Sequence, residues 1–208
     1  FAIHSALASL RVKSWVAERW PTLAASYRLG YNVAAGLLLL VPLYLLYRSS
    51  GPTLWAWQGW AGWVADGLTL LAVLAFLRSM RCYDMAEFLG LRRAATAEAG
   101  RDAARLRISP FHRYVRHPWY FFGLVILWTR DMDPALLVTV VAVTLYLAVG
   151  AYLEERKLRV FHGPAYETYR RQVPGLVPLP WRRLSRKQAR ALETEAMLHR
   201  AREEPGDS

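Results

Sequence analysis

Two stretches of the chain carry residue types suited to binding a small charged molecule. The first ends Ser109-Pro110-Phe111-His112-Arg113-Tyr114-Val115-Arg116-His117-Pro118-Trp119-Tyr120. The second opens at Glu154-Glu155-Arg156 and continues through Phe161-His162-Gly163-Pro164-Ala165-Tyr166-Glu167-Thr168-Tyr169. Arg116 can grip a carboxylate through two parallel hydrogen bonds. Glu154 or Glu155 can receive an ammonium or a hydroxyl. The aromatic faces of Tyr120, Tyr166 or Tyr169 can flank a cation, worth about 1–2 kcal/mol when desolvated. Pro118 has no N–H, so a carbonyl one turn earlier is expected to lose its helical partner and become a free acceptor. The bland alternative is an interfacial ion pair between the two stretches, of little energetic weight if exposed.

Other chemistries have less to work with. The one cysteine, Cys82, excludes an internal disulfide framework, a four-cysteine zinc site and a thioredoxin-type pair. His112 and His117 are five apart, off a common helical face, and neither has a partner at metal-ligand spacing; no metal site is expected. No Gly-x-Gly-x-x-Gly turn is present, which argues against a soluble Rossmann-type cofactor site.

The elements that must position these residues are apolar helices. Residues 29–47 and 134–153 contain no charged side chain, and 49–77 contain only Asp66. About 20 apolar residues suffice to cross a ~30 Å hydrocarbon layer. The expected fold is therefore an all-α integral membrane protein with about five transmembrane helices. These fall at 1–10 (the inner end of a first span), 30–47, 59–77, 115–129 and 134–153, the last two forming a hairpin around 130–133. Pro42 should bend the second helix, and Trp55, Trp57, Trp60 and Trp63 read as an interfacial belt before the third. Asp66 is expected at a hydrated outer lip.

The formal net charge is +11, from 27 basic and 16 acidic residues, at 54% hydrophobic content. The basic residues lie in 11–28, 78–117 and 154–208, apart from Arg48 and Arg130. That asymmetry marks the cytoplasmic face. It places the large loops, the C-terminus and the two stretches above on the inner side of a bacterial-type inner membrane. The basicity then reads as topology and contact with anionic membrane lipids, with no nucleic-acid partner. A membrane domain over 1–180 is followed by a basic surface helix and frayed tail over 181–208.

The order Arg-His-Pro-x-Tyr, short apolar hairpin, Glu-Glu-x-x-Leu, Gly-x-x-Tyr-x-x-Tyr, Val-Pro resembles the isoprenylcysteine carboxyl methyltransferase-like superfamily of integral membrane methyltransferases. Further residues resemble the branch containing methanethiol S-methyltransferases and NnrU-type proteins. They are Ile3-His4-Ser5, Tyr27-Arg28, Tyr31-Asn32, Asp84 with Glu87-Phe88-Leu89-Gly90-Leu91, and Asp131-Met132-Asp133. Two positions depart from the branch pattern, His162 before the Gly and Gln172 before Val-Pro, and 92–107 matches little. His162 is expected to be partly exposed, and substrate specificity is expected in 92–107.

The resemblance implies S-adenosylmethionine as cofactor and methyl transfer to a small or membrane-soluble acceptor, a thiol above all. It implies a pocket from Arg116, His117, Pro118, Tyr120, Glu154, Glu155, Tyr166 and Tyr169. A thiol must become a thiolate, for which Arg116 could supply the field and His4 and Asp84 the proton handling. The alternatives left open are a prenylcysteine carboxylate or phospholipid acceptor, an NADPH-dependent sterol reductase, and a non-catalytic accessory membrane protein.

Overall fold

The computed structural model describes residues 2–24, 26–49, 51–83, 85–89, 91 and 106–203. Its elements, in chain order, are helices α1 (Ala2–Ala8), α2 (Leu10–Arg19), α3 (Pro21–Ala24), α4 (Tyr27–Arg48), α5 (Trp60–Met80), α6 (Met85–Leu89), α7 (Pro118–Trp128), α8 (Pro134–Gln172) and α9 (Arg186–Glu203). Helices α4, α5 and α8 are long and apolar enough to cross a membrane. At 1.5 Å per residue, the 22 residues of α4 rise about 33 Å. Helix α4 buries none of its residues, and Val33, Leu37, Leu40 and Val41 point outwards. An apolar surface of that extent requires lipid in place of water.

The expected first span differs. Residues 1–10 do not form one helix: α1 stops at Ala8, and Ser9 caps α2 by accepting the Val12 N–H at 3.3 Å. A serine between two apolar turns can take the extended backbone of a cap, and here it does.

Helices α5 and α7 pair through small and hydroxyl-bearing residues, the usual means of close approach where water cannot drive association. Ala65, Ala72 and Ser79 are buried on α5 at seven-residue spacing. Ser79 Oγ accepts the Trp119 indole N–H at 2.7 Å, and Thr69 and Thr129 share a hydroxyl bond of 2.6 Å at the other end. At the turn after α7, Met132 is fully buried and pairs its backbone with Trp55. Asp131 accepts the Trp57 N–H at 2.9 Å, and Asp133 caps α8 by accepting the Leu136 N–H at 2.8 Å. Asp66 is exposed, 3.4 Å from Arg130.

Helix α8 is longer than its apolar run. It passes Leu153 and continues to Gln172, redirected at Gly163, whose φ of 54° and ψ of −138° are open to glycine. The break lets Pro164 begin a fresh helical run without an N–H to lose. Against this second half packs α9, through Ala189 and Leu192, in a core with Ile108, Tyr166, Tyr169, Val173 and Leu184. The C-terminal helix is thus packed on the body of the protein by one face, through Ala189, Leu192 and Ala196. His162, expected to be partly exposed, is buried at the kink.

A Cβ on Gly163 would lie 2.5 Å from the His199 ring. Gly163→Ala should therefore lower stability by roughly 1–3 kcal/mol through backbone strain alone, with the His199 clash added. Thermal unfolding in detergent, compared with Gly163→Ala/His199→Ala, should show partial recovery in the double variant. An unchanged melting temperature in the single variant would contradict this account of the kink.

Candidate active site

Residues 113–117 leave a turn and reach the start of α7 as a strap laid across the chain that follows α8. Arg116 N–H donates to Pro174 O at 2.9 Å, His117 N–H to Gly175 O at 3.0 Å, and Leu184 N–H to Arg113 O at 3.0 Å. These bonds fix where the Arg116 and His117 side chains emerge. Arg116 then forms a bidentate pair with Glu155, Nε to Oε1 at 2.9 Å and Nη2 to Oε2 at 3.0 Å. Its Nη1 donates to the carbonyls of Arg170 (2.8 Å) and Val173. Four of its five N–H groups have partners within the protein by this arrangement, and the side chain is only 11% exposed. Gly175 makes room for the pair: a Cβ there would be 3.2 Å from Arg116 Nη2.

The two glutamates, equivalent in the sequence, are separated by the fold. Glu155 is 12% exposed and also lies 3.2 Å from His117 Nε2. Glu154 is 51% exposed and stands 3.5 Å from His117 Nδ1. The His117 ring stacks on Tyr120, centroids 5.2 Å apart and planes 10° from parallel. The Tyr120 hydroxyl is 4.0 Å from where a Gly150 Cβ would stand, one turn before Glu154. An accessible carboxylate beside a stacked imidazole–phenol pair can accept a hydrogen bond from an ammonium or hydroxyl and offer an aromatic wall to a cation.

Other expected residues occupy different places. Pro118 is the first residue of α7, with His117 as its N-cap. Its missing N–H is one that any helix start leaves without a helical partner, so the freed carbonyl expected one turn earlier does not arise. Tyr166 and Tyr169 are 1% and 3% exposed and belong to the core behind the strap, where the Tyr169 hydroxyl donates to His112 O at 2.7 Å. The open aromatic faces expected of these two are filled by neighbours. Asp84 and most of 92–107 lie outside the described residues.

His4 is joined to two residues that the sequence reading did not single out as reactive. Its Nε2 is 2.6 Å from Tyr31 Oη on α4, and its Nδ1 is 2.9 Å from Tyr146 Oη on α8. Tyr146, Gly150 and Glu154 follow at four-residue spacing and so share one face of α8. Tyr120 lies close enough to Tyr31, Tyr146 and Glu154 to interact electrostatically with all three. An apolar recess of about 690 Å³, lined by residues including Leu7, Trp20, Tyr27, Tyr31 and Leu37, borders the Tyr31 end. Among the described residues, no group of three or more His, Cys, Asp or Glu could hold a metal ion.

Long apolar helices bearing this acid–base junction match the class that the motif order resembles, the integral membrane methyltransferases. No family model matches the chain, and no solved structure does. Curated proteins do. The chain is 34% identical over 182 residues to methanethiol S-methyltransferase 2 of Bradyrhizobium diazoefficiens, covering 86% of this chain and 69% of the relative. It is 31% identical over 184 residues to the methanethiol S-methyltransferase of Crocosphaera subtropica, covering 84% and 69%. A third, from Mycobacterium tuberculosis, is 31% identical over 187 residues, covering 88% and 75%. The chain belongs to the methanethiol S-methyltransferase family.

Beside the strap, His112 bonds Ser109 Oγ at 2.7 Å, and burial, reinforced by repulsion from His117, pushes its pKa down to about 4 from 6.5. Between those values the unfolded chain binds a proton that the folded one refuses, so stability rises with pH through this window. The His112 contribution is complete above about pH 6.5 and falls away down to about pH 4. Melting temperatures measured from pH 4 to 7 should drop less steeply in His112→Gln than in the unmutated protein. Parallel curves would contradict this.

Proposed function

We propose that the protein transfers the methyl group of S-adenosylmethionine to a small thiol, with methanethiol as the acceptor and dimethyl sulfide as the product. The relatives' shared name supports this acceptor over a prenylcysteine carboxylate, a phospholipid or an accessory role. The observation that carries the cofactor assignment is Glu154, a half-exposed carboxylate beside the His117–Tyr120 stack.

The donor set suits the ligand. Glu154 takes its ammonium or a ribose hydroxyl, and the His117–Tyr120 wall takes the adenine or the sulfonium. The remaining N–H of Arg116 Nη2 can reach its carboxylate. Glu155 holds Arg116 in place, Pro118 fixes the start of the helix that carries Tyr120, and Tyr166 and Tyr169 brace the strap from behind. When bound, S-adenosylmethionine supplies a methyl on a sulfonium, whose transfer depends on alignment and exclusion of water.

The same reading completes the membrane arrangement. α7 and α8 form a hairpin, supported by the bond from the Trp128 indole N–H to Thr144 Oγ1 at 3.1 Å and by Tyr120 over Gly150. With α7 as a short span beside α4, α5 and the first part of α8, the described helices supply four crossings, and α1, about 10 Å long, is too short to be a fifth by itself. The cofactor pocket then opens on the basic, cytoplasmic side, and 1–180 acts as the methyltransferase domain.

Thermal stability of the detergent-purified protein with excess S-adenosylmethionine or S-adenosylhomocysteine tests the assignment. A ligand at 100 times its Kd should stabilise the folded state by about 2.7 kcal/mol. Glu154→Ala should keep its ligand-free stability and lose that shift. Glu155→Ala should lose about 3–5 kcal/mol without ligand, as expected when one partner of a buried pair is removed. Absence of a shift with both sulfur compounds, or a full shift in Glu154→Ala, would contradict the assignment.

A further inference from the structure

Transfer of a methyl from a sulfonium to a thiol releases one proton, which must leave the acceptor. We infer that Tyr31, His4, Tyr146 and Ser5 form the path by which the acceptor thiol loses its hydrogen. This rests on the reading of the protein as a thiol methyltransferase.

The four groups make a continuous chain: Tyr31 Oη to His4 Nε2 at 2.6 Å, His4 Nδ1 to Tyr146 Oη at 2.9 Å, and Tyr146 Oη to Ser5 Oγ at 3.2 Å. A neutral imidazole has one nitrogen that accepts and one that donates. With a phenol on each nitrogen, a proton entering at one side can leave at the other without any ring moving. The two ends differ. Tyr31 borders the apolar recess, where a small apolar thiol would partition. Ser5 is exposed at the other end, and it is the outlet to water that the path requires. The titratable groups facing this chain are Tyr27 on α4, whose hydroxyl donates to Leu7 O at 2.6 Å, and Tyr120 on α7.

The step balances as follows. The thiol S–H breaks and its proton goes to Tyr31 Oη, whose own proton moves to His4 Nε2. The thiolate lone pair forms the new S–C bond as the donor's C–S bond breaks, its electron pair staying on the donor sulfur. The Nδ1 proton passes to Tyr146, which releases its hydroxyl proton through Ser5. One proton reaches solvent and the chain is returned with the imidazole in its other tautomer, reset by reversal of the hydroxyl rotors and exchange with water.

The test compares two acceptors in proteoliposomes: methanethiol, largely protonated at neutral pH, and methaneselenol, already ionised there. Tyr31→Phe and Tyr146→Phe should lose roughly 10²-fold or more in kcat with methanethiol, the scale of positioned acid–base catalysis. They should stay within about twofold of the unmutated enzyme with methaneselenol, which needs no base. A readout without turnover goes with it: with S-adenosylhomocysteine bound, added methanethiol should give ultraviolet thiolate absorption in the unmutated protein and not in Tyr31→Phe. Should either tyrosine variant fail to fold, His4→Gly takes its place, and added imidazole should restore methanethiol turnover. Equal losses with both acceptors, no loss with either, or no rescue by imidazole would overturn the proton path. An unmutated enzyme inert to both acceptors would instead overturn the methyltransferase reading beneath it.

Discussion

A guanidinium placed where apolar helices end must have its hydrogen bonds met by the protein, and the rest of the site follows from how Arg116 meets that demand. Its fork closes on Glu155, and its other arm takes the carbonyls at the end of α8. Those contacts tie the strap before α7 to the end of α8, whose Arg170 and Val173 lie 54 and 57 residues beyond Arg116 in the sequence. A buried pair of this kind adds little net stability over well-packed apolar residues, because desolvating both charges offsets their attraction. Its effect is on register. With Arg116 and Glu155 locked together, Glu154 is turned outward and His117 is held between the two carboxylates.

Helix α8 carries this arrangement beyond its apolar run. Its apolar part packs beside α7, its middle face presents Tyr146, Gly150 and Glu154, and its last part beyond Gly163 builds a small core with α9. One rigid element therefore sets the spacing between the His4 network and the junction at Glu154. The core around Tyr166, Tyr169 and Leu184 keeps the strap from lifting away, and Leu184 itself bonds Arg113 through its backbone. The geometry of the junction thus depends on packing several residues removed from it.

Much of this was legible in the sequence because it is local. Uncharged runs located α4, α5 and the first part of α8, whose expected start at 134 is the observed one. The proximity of Arg116–His117 to Glu154–Glu155 followed from the order of two neighbouring segments. What was not legible is tertiary. Nothing local distinguishes Glu154 from Glu155; only the position of the strap does. Gly163-Pro164 reads as a stop, yet the glycine absorbs the turn and the helix resumes. Tyr166 and Tyr169 are three apart beside Ala165 and Val173, a pattern as fit for a core stripe as for a ligand wall, and the core claimed them. The spacing of Ala189, Leu192 and Ala196 along the charged tail was a readable seam for burial. Tyr31 and Tyr146 sit singly in apolar runs, and only the fold brings them to His4.

The central claim is that this junction moves a methyl group from S-adenosylmethionine to methanethiol. It is tested most directly by supplying proteoliposomes with trideuteromethyl-labelled S-adenosylmethionine and unlabelled methanethiol, and reading the headspace by mass spectrometry. The account predicts dimethyl sulfide carrying one labelled methyl, formed in step with S-adenosylhomocysteine. Label found in lipid or protein instead, or no labelled product while the cofactor is bound, would contradict it.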